Sequence, residues 1–363
     1  DVPGAIDHAF IMVPREAVPE AISQCAARQV PVATIYTDGF AETGADGRRR
    51  QDELLAIARE GGVRLLGPNC SGIYSSRPAC ALSINAAVER LEVVPGPLAI
   101  LSQSGSMTGG LMSRGLGRGV GFSRIVSIGN ECDLSVGEIA DWLVDDPETG
   151  AILLFIENLR HAPRLARAAH RAVAAGKPVI AFKLGRSEVG REMAASHTGA
   201  LAGSDDIADA FFRAHGIVRV DCLETLFELP ALLAGRRPVA RHRVAVMTTT
   251  GGGAATVVDR LGTLGVDIVS PSEAVVEALA RRNISIPRSR LTDLTLAGTK
   301  AEVYGAVAEA FLDSEHCDLL LAVAGSSAQF EPEITVGPLI RANERERANS
   351  GLGGKPLAVF IAP

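Results

Sequence analysis

The run Ser196-His197-Thr198-Gly199-Ala200-Leu201-Ala202-Gly203 sets one histidine among small residues, a stretch too small-sided to be a packed core face. An imidazole with space around it is a nucleophile that accepts a group and passes it on. A carboxylate on its far nitrogen would fix the tautomer and steady the cation. Glu157 is the candidate for that carboxylate. It ends the apolar run Ala151–Ile156, at the carboxyl edge where α/β sites form. The competing reading makes Glu157 a strand-end cap or a solvent residue.

A second candidate is the turn Ser102-Gln103-Ser104-Gly105-Ser106, placed where a buried strand ends and a helix begins. Free amides and the positive end of the helix dipole favour an anion there, and the serines add hydroxyl donors. The alternative is a helix N-cap with a close-packed glycine, and the residues leave both open. A hydrolase nucleophile is disfavoured because the Gly-x-Ser-x-Gly elbow is not matched. The turn Thr248–Gly253 takes the same reading. In Gly67-Pro68-Asn69-Cys70-Ser71-Gly72, Asn69 either hydrogen-bonds a ligand or holds the turn. Cys70 reads as a small buried residue, since no basic group adjoins it in sequence to make a thiolate.

The elements that position these residues are legible in outline. Apolar runs at Ala9–Val13, Pro31–Tyr36, Arg64–Leu66, Leu98–Leu101, Ser123–Ser127, Ala151–Ile156, Val179–Lys183, Val244–Thr248, Val266–Val269, Leu319–Ala324 and Leu357–Ile361 predict parallel strands. Segments rich in Ala, Leu, Arg and Glu separate most of them, which is the alternation of an α/β protein. Breaks at Glu92–Pro97 and Gly235–Pro238 divide the chain into 1–91, 92–237 and 238–363. The first part holds only about three strand candidates, so the first strand and phosphate turn of a doubly wound nucleotide domain are expected to lie outside it. The runs beginning at Leu98 and at Val244 both read strand, hydroxyl-and-glycine turn, helix, glycine turn, strand. The second and third parts are therefore expected to be related flavodoxin-type folds.

Composition narrows the function. The 363 residues are 47% hydrophobic and 21% charged, which is ordinary for a globular chain. A net charge of −6 without a long basic block disfavours nucleic acid and anionic membranes. No window is long and apolar enough to span a bilayer, and no secretory signal is visible. The six cysteines contain no Cys-x-x-Cys pair, which reads as reduced thiols in a cytoplasmic protein without a disulfide frame or a metal site.

Four motifs occur here in the order found in the NDP-forming acyl-CoA synthetases: Gly67–Gly72, Ser102–Gly105, Ser127-Ile128-Gly129-Asn130 and Ser196–Gly203. Through them the chain resembles the α subunit of succinyl-CoA synthetase and the ADP-forming acetyl-CoA synthetases, over nearly its whole length. The resemblance implies a partial Rossmann-like CoA-binding domain followed by two flavodoxin-like domains. It makes His197 a transiently phosphorylated histidine and Glu157 the residue that orients it. Ser104, Gly105 and Ser106 fall on the turn that holds phosphate. Tyr36, Thr37, Asp38, Pro68 and Asn69 fall on turns lining the CoA site. It further implies coenzyme A and a small carboxylic acid as substrates, with ATP, ADP and Mg2+ on an ATP-grasp domain or β subunit, and an oligomeric enzyme. The acid would be selected around Ser106–Gly110 and Gly129–Asp133. Two other functions compete: a non-catalytic CoA-sensing regulatory module, disfavoured by the presence of His197 and Glu157, and a dinucleotide-binding oxidoreductase, disfavoured by the lack of a Gly-x-Gly-x-x-Gly fingerprint.

Overall fold

Strands buried on both faces must be joined by covering helices, and the apolar runs of this chain are used in that way. The computed structural model describes residues 2–90, 94–190, 204–236, 241–350 and 354–362. It contains three sheets in two compact units, Asp1–Ala234 and Gly235–Pro363.

The first unit carries two sheets. One is parallel, with β1 (Ala9–Ile11), β2 (Val32–Ile35) and β3 (Arg64–Leu66) in chain order. The other has seven strands: β4 (Gly72–Ser76), β5 (Ala79–Ser83), β6 (Pro95–Ser102), β7 (Phe122–Ser127), β8 (Ala151–Ile156), β9 (Val179–Lys183) and β10 (Val218–Val220). Their order is β10-β9-β8-β6-β7-β4-β5. Strands β6 to β10 run parallel, whereas β4 lies antiparallel to β7 and pairs with β5 as a hairpin. Residues 72–83, assigned from sequence to the first part, extend the sheet of the second. The hairpin escaped the sequence reading because Ile73-Tyr74-Ser75-Ser76 is no continuous apolar run.

Every residue of β8 is buried, and Ile100, Leu101, Ile152 and Leu154 lose essentially all contact with water. Each such side chain contributes about 1.5–3 kcal/mol. On one face lie the helices Val136–Asp145 and Ala162–Ala174. The first is capped by Ser135, whose hydroxyl accepts from the Glu138 amide at 3.2 Å. It buries Val136, Ile139, Ala140 and Leu143 at helical spacing. Gly137 lets the two helices touch, since a Cβ there would overlap the backbone of Leu165. The two sheets are tied where Arg64 of β3 meets Asp133 at 2.8 Å and Glu138 at 3.0 Å.

The second unit has β11 (Arg243–Thr248), β12 (Asp267–Val269), β13 (Leu291–Asp293), β14 (Leu319–Ala324) and β15 (Leu357–Ile361), all parallel. The order is β12-β11-β14-β15, with β13 beside the far half of β11. The path β15-β14-β11-β12 repeats the path β9-β8-β6-β7, as the internal repeat in sequence predicts. The likeness extends to the turns. The Ser102 hydroxyl donates to the Ser104 carbonyl and accepts the Ser104 amide, and Thr248 does the same with Thr250.

Candidate active site

In the seven-stranded sheet the chain leaves β6 toward β7 on one side and returns as β8 on the other. That reversal opens a crevice beyond the carboxyl ends of β6 and β8. A cavity of about 500 Å3 lies there, and Ser104, Gly105, Ser106, Glu157, Tyr36 and Asn69 all line it. Six residues singled out from sequence, separated by more than a hundred positions, thus face one space.

The helix Gly105–Leu116 starts at this cavity with Ser104 at its N-cap position, yet no side chain caps it. The Ser104 hydroxyl instead lies 3.3 Å from that of Ser106. The first-turn amides are left without a side-chain acceptor from the cap, the arrangement that suits an anion. Thr108 fixes the turn by donating to the Ser104 carbonyl at 3.0 Å. Of the two readings of this turn, the simple serine cap is not what forms.

Glu157 is half-buried at the end of β8. Its main chain is held by Gln103, whose carbonyl oxygen accepts the amides of Glu157 at 2.7 Å and Asn158 at 2.9 Å. The other end of the Gln103 amide donates to the Asn158 carbonyl at 2.9 Å and to Glu131 Oε2 at 2.9 Å. Glu131 Oε1 accepts the Val136 amide at 2.9 Å. Burial pushes the Glu131 carboxyl up to about 7, against the pull of the Val136 amide, Gln103 and the Arg160 guanidinium.

That shift has a sign for stability. Glu131 binds its proton more tightly in the folded chain than at its ordinary value of 4.5. The native state therefore carries the extra proton between about pH 4.5 and 7, and stability declines as pH rises through that window. The decline amounts to about 3 kcal/mol at one pH unit per 1.36 kcal/mol. Unfolding free energies measured from pH 5 to 8 are expected to show this slope in the wild type and to lose it in Glu131→Gln. An unchanged slope in the variant refutes the assignment.

The same loop reaches the first sheet. The Asn130 side chain donates to Glu42 and, at 3.0 Å, to Gln51, while its amide donates to the Pro68 carbonyl at 2.9 Å. The Asn69 side chain donates to Asn130 Oδ1 at 3.4 Å, and Arg160 Nη1 donates to the Asn130 carbonyl at 2.6 Å. Gly129 makes this approach possible. It sits at φ +63°, and a Cβ there would overlap the carbonyl oxygens of Pro68 and Asn69.

Thr37 and Asp38 lie outside the main cavity. With Met12, Val13, Tyr36 and Asn69 they line an adjoining hollow of about 270 Å3. Thr37 is pinned by its hydroxyl to the Val13 carbonyl at 2.7 Å and receives the Asn69 amide at 3.0 Å. Pro68 contributes its carbonyl to Asn130 rather than a surface to either space. Cys70 is buried and its thiol is pushed up to about 12 by desolvation, so it is no nucleophile at neutral pH. His197 lies outside the described residues. Among the described residues no three His, Cys, Asp or Glu side chains gather as a metal site, and no helix is long and apolar enough to cross a membrane.

Sequence reasoning singled out neither Gln103 nor Glu131, although Glu131 falls within the Gly129–Asp133 stretch expected to select the acid. Gln103 was visible inside the serine turn, and Glu131 directly follows the Gly129-Asn130 motif, but their meeting is a long-range contact.

Residues 1–76 match the CoA binding domain family and residues 95–233 match the succinyl-CoA ligase like flavodoxin domain. The α subunit of the ADP-forming acetate–CoA ligase II of Pyrococcus furiosus is 32% identical over 367 residues, covering 100% of this chain and 77% of the relative. A trans-feruloyl-CoA synthase from an unidentified prokaryote is 33% identical over 93% of this chain, which spans about half (48%) of that relative. The structure of acetyl-coenzyme A synthetase 1 of Ca. Korarchaeum cryptofilum, in complex with phosphate and ADP, superposes with a TM-score of 0.86 at 28% identity, covering 99% of this chain and 76% of that one. With a CoA-binding segment, a succinyl-CoA-ligase-like flavodoxin segment and relatives of this extent, the chain belongs to the ADP-forming acyl-CoA synthetases, as an α-type portion of such an enzyme.

Proposed function

We propose that this chain carries the acyl-CoA half of an ADP-forming acyl-CoA ligase, and that His197 relays the phosphoryl group to a nucleotide site on an ATP-grasp domain or β subunit. The observation that carries the reading is the shared cavity: an uncapped helix start, Glu157 and the Asn69 turn of the CoA-binding segment all open on it.

In the direction of thioester cleavage, a phosphate oxygen attacks the acyl carbonyl carbon. The C–S bond breaks, and the CoA thiolate leaves and takes up a proton. The amides of Gly105 and Ser106 and the Ser104 hydroxyl would hold the phosphate and the charge that develops on it. His197 then attacks phosphorus; a P–N bond forms, the P–O bond to the acyl group breaks, and the carboxylate departs. Glu157 would balance the imidazolium character of the phosphorylated ring. Transfer to ADP regenerates the imidazole and gives ATP. Mg2+ and nucleotide belong to the partner in this scheme, which calls for an oligomeric assembly where that partner is a separate β subunit.

The acid remains a matter of cavity shape. Of the two stretches expected to select the acid, Ser106, Gly129 and Asn130 line the cavity; Gly110, where a Cβ would meet nothing within 4 Å, is not among the lining residues. Relatives named for acetate and for trans-ferulate frame the range of acids to test.

Arsenate separates the first step from the rest. It replaces phosphate, and the acyl arsenate hydrolyses on its own, so CoA release needs neither ADP nor the histidine. The complete ligase given acetyl-CoA or trans-feruloyl-CoA with arsenate and no nucleotide is expected to release free thiol with at least one of them. Thiol release that requires ADP with both would sink the proposed order of steps.

A further inference from the structure

We propose that Glu131 is a positioning residue for Glu157: its carboxylate locks the Gln103 side-chain amide in one orientation, and the locked amide holds the main chain at Glu157–Asn158. The inference rests on the role given to Glu157 under Proposed function.

The argument is one of donor and acceptor matching. Two main-chain N–H groups, of Glu157 and Asn158, converge on one end of Gln103, so that end must be oxygen. The Asn158 carbonyl faces the other end, so that end must be nitrogen. An amide satisfies both demands, and an ionised carboxylate does not. Two donors also converge on Glu131, the Val136 amide on one oxygen and Gln103 Nε2 on the other. Only a carboxylate accepts at both ends. A glutamine there would turn its NH2 toward one of the donors.

Glu131 is 3% exposed, and the ionised carboxylate that accepts at both ends, the form present above about pH 7, is an expensive group to bury. A neutral or apolar side chain would fill the same space at lower cost if packing were its only task. Its backbone is also held at φ +57°, uncommon outside glycine. The Arg160 guanidinium supplies the nearby positive charge while holding the Asn130 carbonyl. The geometry therefore spends burial and backbone strain on keeping one amide from turning over, and the atoms that amide holds belong to Glu157.

The test is a double-mutant cycle on the complete ligase at about pH 8, where Glu131 is ionised, reading the rate at which γ-labelled ATP gives acid-labile label on the chain. In Glu131→Gln, the rate is expected to fall about 10- to 100-fold while the KM for ATP stays within about twofold. Gln103→Glu sets two carboxylates against each other and is expected to fall further. In that background Glu131→Gln restores a donor–acceptor pair, so the same substitution is expected to raise the rate severalfold. A reversal of sign is the signature of orientation, which a general loss of stability does not produce. Glu131→Gln at the wild-type rate overturns the inference. So does a double variant no faster than Gln103→Glu, or one that fails to fold. If Gln103→Glu alone fails to fold, the inference stands if the double variant folds and labels within about tenfold of Glu131→Gln, and falls if it does not. Glu157→Gln, run alongside, distinguishes the levels: at the wild-type rate it brings down the role of Glu157 itself. A slow Glu157→Gln beside a normal Glu131→Gln brings down only the present inference.

Discussion

Replacing His197 with Ala is expected to abolish acid-labile labelling of the chain by γ-labelled ATP and to lower the overall ligase rate by at least about four decades. Removing the proposed nucleophile of a two-step transfer leaves no route for the phosphoryl group, and losses of that order accompany deletion of a covalent catalyst. The same variant is expected to release CoA from acyl-CoA with arsenate at a rate close to wild type, because in the proposed order that cleavage precedes the histidine. The pair of measurements therefore splits the reaction at the acyl phosphate. Label that persists in His197→Ala places the phosphorylated residue elsewhere. Loss of both activities assigns the histidine to the thioester step and contradicts the relay.

The second large effect belongs to Glu157. Glu157→Gln keeps length and shape, and the bond from its main-chain amide to Gln103 is untouched. What it removes is the charge proposed to balance the phosphorylated ring of His197. Withdrawing electrostatic stabilisation of that kind typically costs about 2.7–4 kcal/mol, or two to three decades in rate. The rate of labelling from ATP is expected to fall by that factor, with the melting temperature moved by no more than a few degrees. A variant that labels like wild type would make Glu157 a strand-end residue without a part in the chemistry.

The sequence and the structure agree most closely where one physical cue suffices. Continuous apolar runs such as Ala151-Ile152-Leu153-Leu154-Phe155-Ile156 have only one economical use, a strand covered on both faces, and they form one. The turns after such runs must lie at the carboxyl edge of a parallel sheet. Ser104 and Glu157 could thus be placed near a common crevice without knowledge of their contacts. Short or one-sided strands are different. β10 is Val218-Arg219-Val220 and β13 is Leu291-Thr292-Asp293, each with a polar residue and only three positions. Pairing with a neighbour defines such strands, and a linear chain does not display its neighbours.

The site shows the same limit. Gln103 and Glu131 are 28 positions apart, and Gln103 and Glu157 are 54 apart. Each residue alone is unremarkable; only the folded arrangement of donors and acceptors gives them meaning. Asn130 was visible as part of a motif, but its grip on Glu42 and Gln51 could not be read, because those partners lie on a helix and a turn of the other sheet. Residues selected for their own chemistry are conspicuous in sequence. Residues selected for holding others are not.

The β4–β5 hairpin bears on how this molecule could be taken apart. The CoA-binding match ends at Ser76 and the flavodoxin match begins at Pro95, so the interval between them looks like a natural place to cut. Yet β4 pairs through Ile73–Ser75 with Arg124–Val126 of β7, and β5 closes the sheet beyond it. A fragment beginning at 95 would leave the edge of β7 bare, with a row of unpaired amides and carbonyls ready to template a second copy. A fragment ending at 76 would carry away β4 without either of its neighbours. The two segments match different families but share one sheet. Either half made alone would require residues 72–83 to remain with the flavodoxin sheet.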